Sequence, residues 1–398
     1  MTRKIRKSSI AAGGYKSYAI QSDGSLLGWG GGKSYRVSGK GENYGGIGDG
    51  TDEDRLSPAK IMDDVVVVSN MGDILAAAIK TDGSLWAWGH NGVGQIGDGT
   101  VTKYGDYGDV IENNSRLSPV KVMEDVVSVS VGRTFAMAVK TDGSLWAWGD
   151  NLHSQLGIGK TPTRTPYGYD MDTWHLAINP LPVKIMDDMA HISAGLVHSA
   201  SIKTDGSLWA WGDNGFGQIG DGTVSFFAHR DPQYHKNNDR PSPIKIMDDV
   251  TLVSAGMFYT AAIKTDGSLW AWGDNQRGQL GDGTTKAKHS PVKIIDSDVV
   301  YVSAGSEHTM AVMSDNSLWA WGYNDCGQLG NGKTSKMVRP TKIMNDVAHV
   351  SAGAGHTMAV KTDGSLWVWG WNEYGQLGNG TTKGCRSPMK LMDDVLLP

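Results

Sequence analysis

The sequence predicts an all-β fold: a seven-bladed β-propeller of four-stranded antiparallel blades, closed by overlap of the N- and C-terminal segments. Three observations carry this expectation. The segment TDGSLWAWG stands at Thr81–Gly89 and recurs unchanged at Thr141–Gly149, Thr204–Gly212 and Thr265–Gly273. Around it hydrophobicity alternates with period two, which means strand. The 398 residues include 54 glycines and 15 tryptophans, a composition that suits many tight turns and little helix.

Seven copies are marked by a turn aspartate: Asp23, Asp82, Asp142, Asp205, Asp266, Asp315 and Asp363. The cleanest unit runs from Ile343 to Gly380 and reads as strands A to C, with the D strand following it. Strand A is DVAHVSAG, B is HTMAVK, C is SLWVWG, and D is of the SPVKIM type. Asp-Gly between B and C is a two-residue hairpin signal, because glycine accepts positive φ. The sixth copy carries Asn316 there instead, and asparagine best tolerates that conformation among the non-glycine residues. Along strand C, Leu85 and Ala87 point one way, Trp86 and Trp88 the other. Both faces are apolar, so each sheet must be covered on both sides. Seven sheets stacked around an axis do this, each burying a tryptophan face against a neighbour's small-residue face. The period of two and the dense glycine exclude a helical solenoid, and an open sandwich needs no equivalent repeats.

The pattern GxxHTMAVKTDGSLWAWGxNxxGQLG resembles the regulator of chromosome condensation repeat, over nearly the whole chain. The resemblance implies a seven-bladed propeller. The first copy departs most: it reads SDGSLLGWG, then GGKSYRVSGKGENYGGIGDG, without the N-x-x-G-Q element. Aligned on the repeat, Val395–Pro398 falls on the same part of strand A as Lys7–Ile10, so the termini are expected to meet at one blade.

Bulk properties narrow the function. Net charge is −5 with both signs dispersed, so no nucleic-acid partner is expected. Cys326 and Cys385 cannot form a disulfide framework and lack metal-site spacing. No apolar run approaches the ~18 residues of a membrane span, and no apolar stretch follows the basic start. The chain therefore reads as a cytoplasmic monomer, or as secreted if a leader was removed.

In such blades the A–B and C–D connections share one end of the ring, and the B–C and D–A connections share the other. The second end is monotonous, an acidic rim of repeated TDG and MDDV turns whose reading is solubility and turn chemistry. Individuality collects at the first end. Residues after each SAG vary freely, and all extra length falls in the C–D connections of blades one to four, at about 31–46, 100–118, 159–181 and 223–242. Most tyrosines and phenylalanines outside the repeat pattern cluster there too, with Trp174 and Trp371. Roughly half of these aromatics are expected to pack the long loops. The candidate partner-binding residues are Tyr15, Arg133, Phe135, Tyr169, Trp174, Phe216, Phe258, Tyr259, Tyr323, Trp371 and Tyr374.

No catalytic constellation emerges, and neither a cofactor nor a metal is expected. His198, His308 and His356 share one repeat position with Lys16, Leu75, Phe135 and Tyr259, so they read as structural. Asp170, Asp172 and His175 in the third insertion, and His229, Asp231 and His235 in the fourth, match no tight ligand spacing. Cys326 reads as a free surface thiol, and the recurring GDGT marks turns, not a phosphate loop. The leading expectation is a non-enzymatic protein-binding scaffold of inhibitor or adaptor type. The resemblance implies this through propeller β-lactamase-inhibitory proteins, which cap an enzyme with one end of the ring. It also implies an alternative, guanine-nucleotide exchange on a small GTPase, and the aromatic loops permit a carbohydrate-binding propeller.

Overall fold

Alternating sequence copies become alternating strands. The computed structural model of the protein describes residues 8–32, 46–72, 74–105, 109–160, 164–165, 168–169, 177–225 and 237–398. Seven four-stranded antiparallel sheets follow one another along the chain, and among the described residues there is no helix. In the seventh blade the strands are Val347–Ala352, His356–Lys361, Leu366–Gly370 and Cys385–Met392, paired in that order. The A strands line a central channel. The D strands, such as Arg240–Met247, form the exposed outer edge. A proline stands in each of them, where its missing N–H blunts edge-to-edge pairing.

The paired tryptophans hold the blades together in the expected way. In every copy the second tryptophan is fully buried and the first, where present, is half-buried. Trp148 of blade three packs on Leu85 and Ala87 of blade two, and Trp211 of blade four on Leu145 and Ala147 of blade three. Seven such clusters, one per junction, make up the core. Its indole N–H is also bonded: Trp148 Nε1 donates to the carbonyl of Gln95 in the preceding blade at 3.0 Å, and Trp369 Nε1 to that of Gln328 at 2.8 Å.

That carbonyl explains the N-x-x-G-Q element. In blade seven, Asn372 Oδ1 accepts the N–H of Leu377, and Gln376 Oε1 accepts the N–H of Tyr374. The turn is thereby fixed, and the Gln376 carbonyl receives Trp29 Nε1 of the next blade. Blade one lacks the element and uses Tyr18 instead. Tyr18 Oη donates to the Ile47 carbonyl and accepts from Trp88 Nε1. Room for the ring comes from Gly28, where the other copies carry alanine or valine; a Cβ there would stand 2.8 Å from Tyr18 Cε1. The departures of the first copy thus compensate one another.

Around the channel, a serine of one A strand accepts a backbone N–H from the next: Ser130 from Ala194, Ser193 from Ala255, Ser254 from Ala304, Ser303 from Ala352, and Ser351 from Ala12. Ser69 does the same for Val131. Only the junction from blade one to blade two breaks the series, because Ala11 replaces the serine.

The termini meet in blade one, but they divide strand A instead of duplicating it. Val395 pairs with Gln21, and its N–H bonds the Gly364 carbonyl at 3.0 Å. Val126 makes the same two contacts, with Lys140 and Gly83, in blade three. The tail therefore supplies the first half of the strand and Ile10–Ala12 the second.

At the monotonous end the turn chemistry holds. One aspartate of each D–A turn sits at positive φ, from 61° at Asp125 to 69° at Asp188, and Asn316 has φ 61° in its hairpin. Where a second acidic residue precedes it in the turn, that residue pairs with a lysine three residues earlier, as Lys245 with Asp248 at 2.7 Å; in the turn before Val347, Asn345 stands there instead.

Candidate docking face

The opposite end is where the A–B and C–D connections meet. One hydrogen bond ties them in every blade: the first residue after strand C donates its N–H to an A–B carbonyl. Examples are Asp213 to Val197, Tyr323 to Glu307 and Trp371 to Gly355. The variable positions are thus held on a rigid frame.

Three of the predicted contact residues come together across the junction of blades seven and one. The rings of Tyr15 and Trp371 lie 5.3 Å apart at 67°, those of Tyr15 and Tyr374 4.6 Å apart at 48°, and those of Trp371 and Tyr374 5.5 Å apart at 87°. All three are half-buried. Phe216 and Phe258 pair across the junction of blades four and five at 4.8 Å and are also half-buried. Tyr323 carries the Arg277 guanidinium at 5.0 Å, and Arg277 reaches Glu307 at 3.6 Å. Arg133 is exposed at the A–B tip of blade three. Beside these groups, blades three to five bury aspartates after strand C. Burial pushes the Asp150 carboxyl up. Burial acts in the same direction on Asp213, but His153 at 3.4 Å, the Gly215 N–H and Gln218 outweigh it and hold the carboxyl below its ordinary range.

A match to the RCC1-like domain profile spans residues 37–396. The chain belongs to the RCC1-like domain family. Among its relatives, RCC1 domain-containing protein RUG3 of Arabidopsis thaliana is 28% identical over 296 residues, covering 72% of this chain and 58% of that protein. The ultraviolet-B receptor UVR8 of the same plant is 30% identical over 304 residues, covering 74% and 58%. The chain thus matches under two thirds of the length of these relatives. Yeast RCC1 (Prp20), solved bound to Kap60, superposes with a TM-score of 0.71 at 20% identity over 99% of this chain and 89% of its own. Human WBSCR16 gives 0.69 at 20% identity, over 95% and 93%.

Two predicted contact residues are corrected by the structure of this RCC1-like ring. Phe135 and Tyr259 are fully buried. They open strand B, where the side chain points into the next blade. Phe135 packs with Ala194 and Trp211, while Tyr259 Oη donates to the His308 carbonyl at 2.7 Å. The signal was available, because both occupy the repeat position of the three histidines already read as structural. Those histidines are buried and bond a hydroxyl of the following blade: His198 with Thr260, His308 with Thr357 and His356 with Ser17. Tyr169 lies in the short strand Gly168–Tyr169, paired with Arg164–Thr165; its side chain, Trp174, and the His and Asp residues singled out in insertions three and four lie outside the described residues. In the second insertion Lys103–Tyr104 pairs antiparallel with Val110–Glu112, anchored by Tyr104 Oη on His90 Nε2 at 3.1 Å. Arg277, Glu307, His153 and Asp213 were not singled out from sequence. Aligning the copies position by position would have placed each beside its partner.

Proposed function

We propose that this RCC1-like ring is a non-enzymatic docking scaffold, of inhibitor or adaptor type, that engages a protein partner through its A–B and C–D end. The observation that carries the reading is the contrast between the ends. One repeats the same turns seven times. The other presents half-buried aromatics on short connections and four lengthened loops. Aromatic residues with part of the ring covered and part accessible are typical anchors of protein interfaces. A propeller of the same fold, yeast RCC1, has been solved bound to Kap60.

The test is capture of a partner from the native host lysate by three forms of the protein. These are the wild type, Trp371→Ala, and a variant with the first four C–D connections shortened to the blade-five length. The wild type is expected to retain a specific protein that Trp371→Ala loses, with both forms still folded. Equal recovery by all three forms would refute a docking role for this end.

A further inference from the structure

We propose that the outer edge of blade six, with the flanking connections of blades five and seven, is a binding surface for an acidic segment of a partner protein, a run of aspartate or glutamate side chains. The inference uses none of the aromatic residues of the docking end and stands without that reading.

Elsewhere in the ring the cations of the outer edge are neutralised from within by two repeated acids. The first stands in the GDG turn of blades one, two, four and five and holds the cation that opens strand D: Asp49 holds Arg55, Asp98 Arg116, Asp221 Arg240 and Asp282 Lys288. The second stands in the D–A turn and holds a lysine three residues earlier, as Asp63 holds Lys60 at 2.6 Å and Asp393 holds Lys390 at 2.7 Å. In blade six both acids are asparagines, Asn331 and Asn345. In blade seven the first is Asn379. Strand register fixes the equivalence: Arg240 opposite Gly212 corresponds to Met337 opposite Gly322 and to Cys385 opposite Gly370. Both members of the first pair are thus gone from these two blades, yet other cations accumulate there.

Lys286, Lys333, Lys336, Arg339, Lys383 and Arg386 are all exposed. Among the described residues none of them has an ion-pair partner. Backbone contacts join them into one arc. A Cβ at Gly283 would stand 2.5 Å from Arg339 Nη2, so this guanidinium of blade six lies on the connection of blade five that carries Lys286. Gly332, next to Lys333, donates its N–H to the Arg386 carbonyl of blade seven at 2.9 Å. The lysines spring from a fixed backbone, because buried asparagine amides donate to its carbonyls. Asn275 bonds that of Lys286 at 3.1 Å, Asn324 those of Lys333 and Ser335 at 3.0 and 3.1 Å, and Asn372 that of Lys383 at 3.0 Å. Cations held together in this way raise the local positive potential of a chain whose net charge is −5. Such a patch complements carboxylates on a partner and steers their approach. An acidic peptide is favoured over nucleic acid because Asp325 and Glu373 stand exposed on the C–D connections of the same blades. A phosphate backbone, charged at every step, would run past the arc and meet them, whereas a short acidic run ends within it.

The test is fluorescence anisotropy of a labelled hexaglutamate peptide titrated with the full chain at low salt, with hexaglutamine as control. The wild type is expected to bind hexaglutamate saturably, more weakly as salt is raised, and not to bind hexaglutamine. Lys333→Gln/Lys336→Gln/Arg339→Gln should weaken binding at least about threefold, since each exposed charge contact contributes modestly. Lys60→Gln/Lys121→Gln/Lys184→Gln makes the same change in net charge on paired lysines of blades one to three, and should leave the affinity within about twofold of the wild type. Asn331→Asp/Asn345→Asp restores the acids that other blades carry, keeps every cation, and should also weaken binding. Equal loss in the two triple variants would reduce the effect to net charge and overturn the proposal. No binding of hexaglutamate, undiminished binding in Asn331→Asp/Asn345→Asp, or tighter binding of an oligothymidylate of the same charge would overturn it too. Trp371→Ala should bind hexaglutamate as the wild type does, so partner capture by that variant tests the docking reading alone.

Discussion

Acidification should loosen the ring through histidines that it holds neutral. His198, His308 and His356 are fully buried, and burial lowers them from the ordinary 6.5 to about 4, about 3 and about 3. In the unfolded chain they take up protons near the ordinary value. Between the two values the unfolded state holds protons that the folded state refuses, so stability falls as pH falls. The contribution is complete above about pH 6.5 and is lost progressively down to the folded values. Each imidazole costs at most about 1.4 kcal/mol per pH unit, hence about 2 kcal/mol on going from pH 6.5 to about pH 5, and the three together about 6 kcal/mol. The carboxylates with lowered values, such as Asp98 and Asp221, lose their contribution only below their ordinary 3.8, outside this window. Asp150, raised by burial, acts with the opposite sign but equally in any two variants compared. The perturbation is His308→Phe, which copies Phe135 at the same position of blade three. Thr357 keeps its bond to the Gln328 carbonyl at 2.8 Å, so no hydroxyl is stranded. Urea unfolding at about pH 7.5 and about pH 5 should show the variant losing about 2 kcal/mol less than the wild type. An identical pH dependence in the two proteins would refute the argument, as would an imidazole NMR titration centred near 6.5 for His308.

Other expectations follow from the compensating positions. Gly28→Ala should destabilise the ring by about 1–3 kcal/mol through contact with Tyr18, and Tyr18→Met should relieve that overlap, so the two changes measured by chemical denaturation should not add. Asp249, at φ 62°, should accept glycine with little change in melting temperature, whereas Asp249→Val should cost about 1–2 kcal/mol. Val395→Asp should destabilise blade one and speed amide exchange at Leu396, whose N–H bonds the Ile20 carbonyl at 2.9 Å; unchanged exchange would mean that the tail does not close the ring.

The strands, the turns and the blade count were legible because each depends on local chemistry repeated seven times. Alternation names the strands, Asp-Gly the hairpins, and the two faces of LWAW the need for neighbours on both sides. Less legible was which variable residue faces solvent. Phe135 looks like Phe258 in composition and lies close to the same end, yet one ring is buried between blades and the other half-buried at the rim. The difference is a single step in register: the residue before strand B faces the rim, and the first residue within it faces the next blade. A period of two makes that step decisive. The role of Gly28 was hidden for another reason. It answers to Tyr18 on the adjacent strand and, through Tyr18, to an indole in the next blade.

A repeat protein carries its own reference state, and departures from it fall into two kinds. Some are answered within the ring. Tyr18 replaces the missing glutamine carbonyl and Gly28 makes room for it. Where His308 meets the next blade it meets Thr357, and where Leu75 does so the corresponding residue is Ala136. Such pairs keep the junctions equivalent, and selection on folding alone accounts for them. The junction of blades six, seven and one is different. Cys326, Gly355 and Gly31 each remove a group that other junctions use, and in their place the ring gains three inclined aromatic faces with two exposed carboxylates alongside. Nothing within the described residues uses the face of Trp371 as Arg277 uses that of Tyr323. A departure that the described residues do not answer points outward, and this makes the rim of the seventh blade, together with the longer loops, the place to look for the partner.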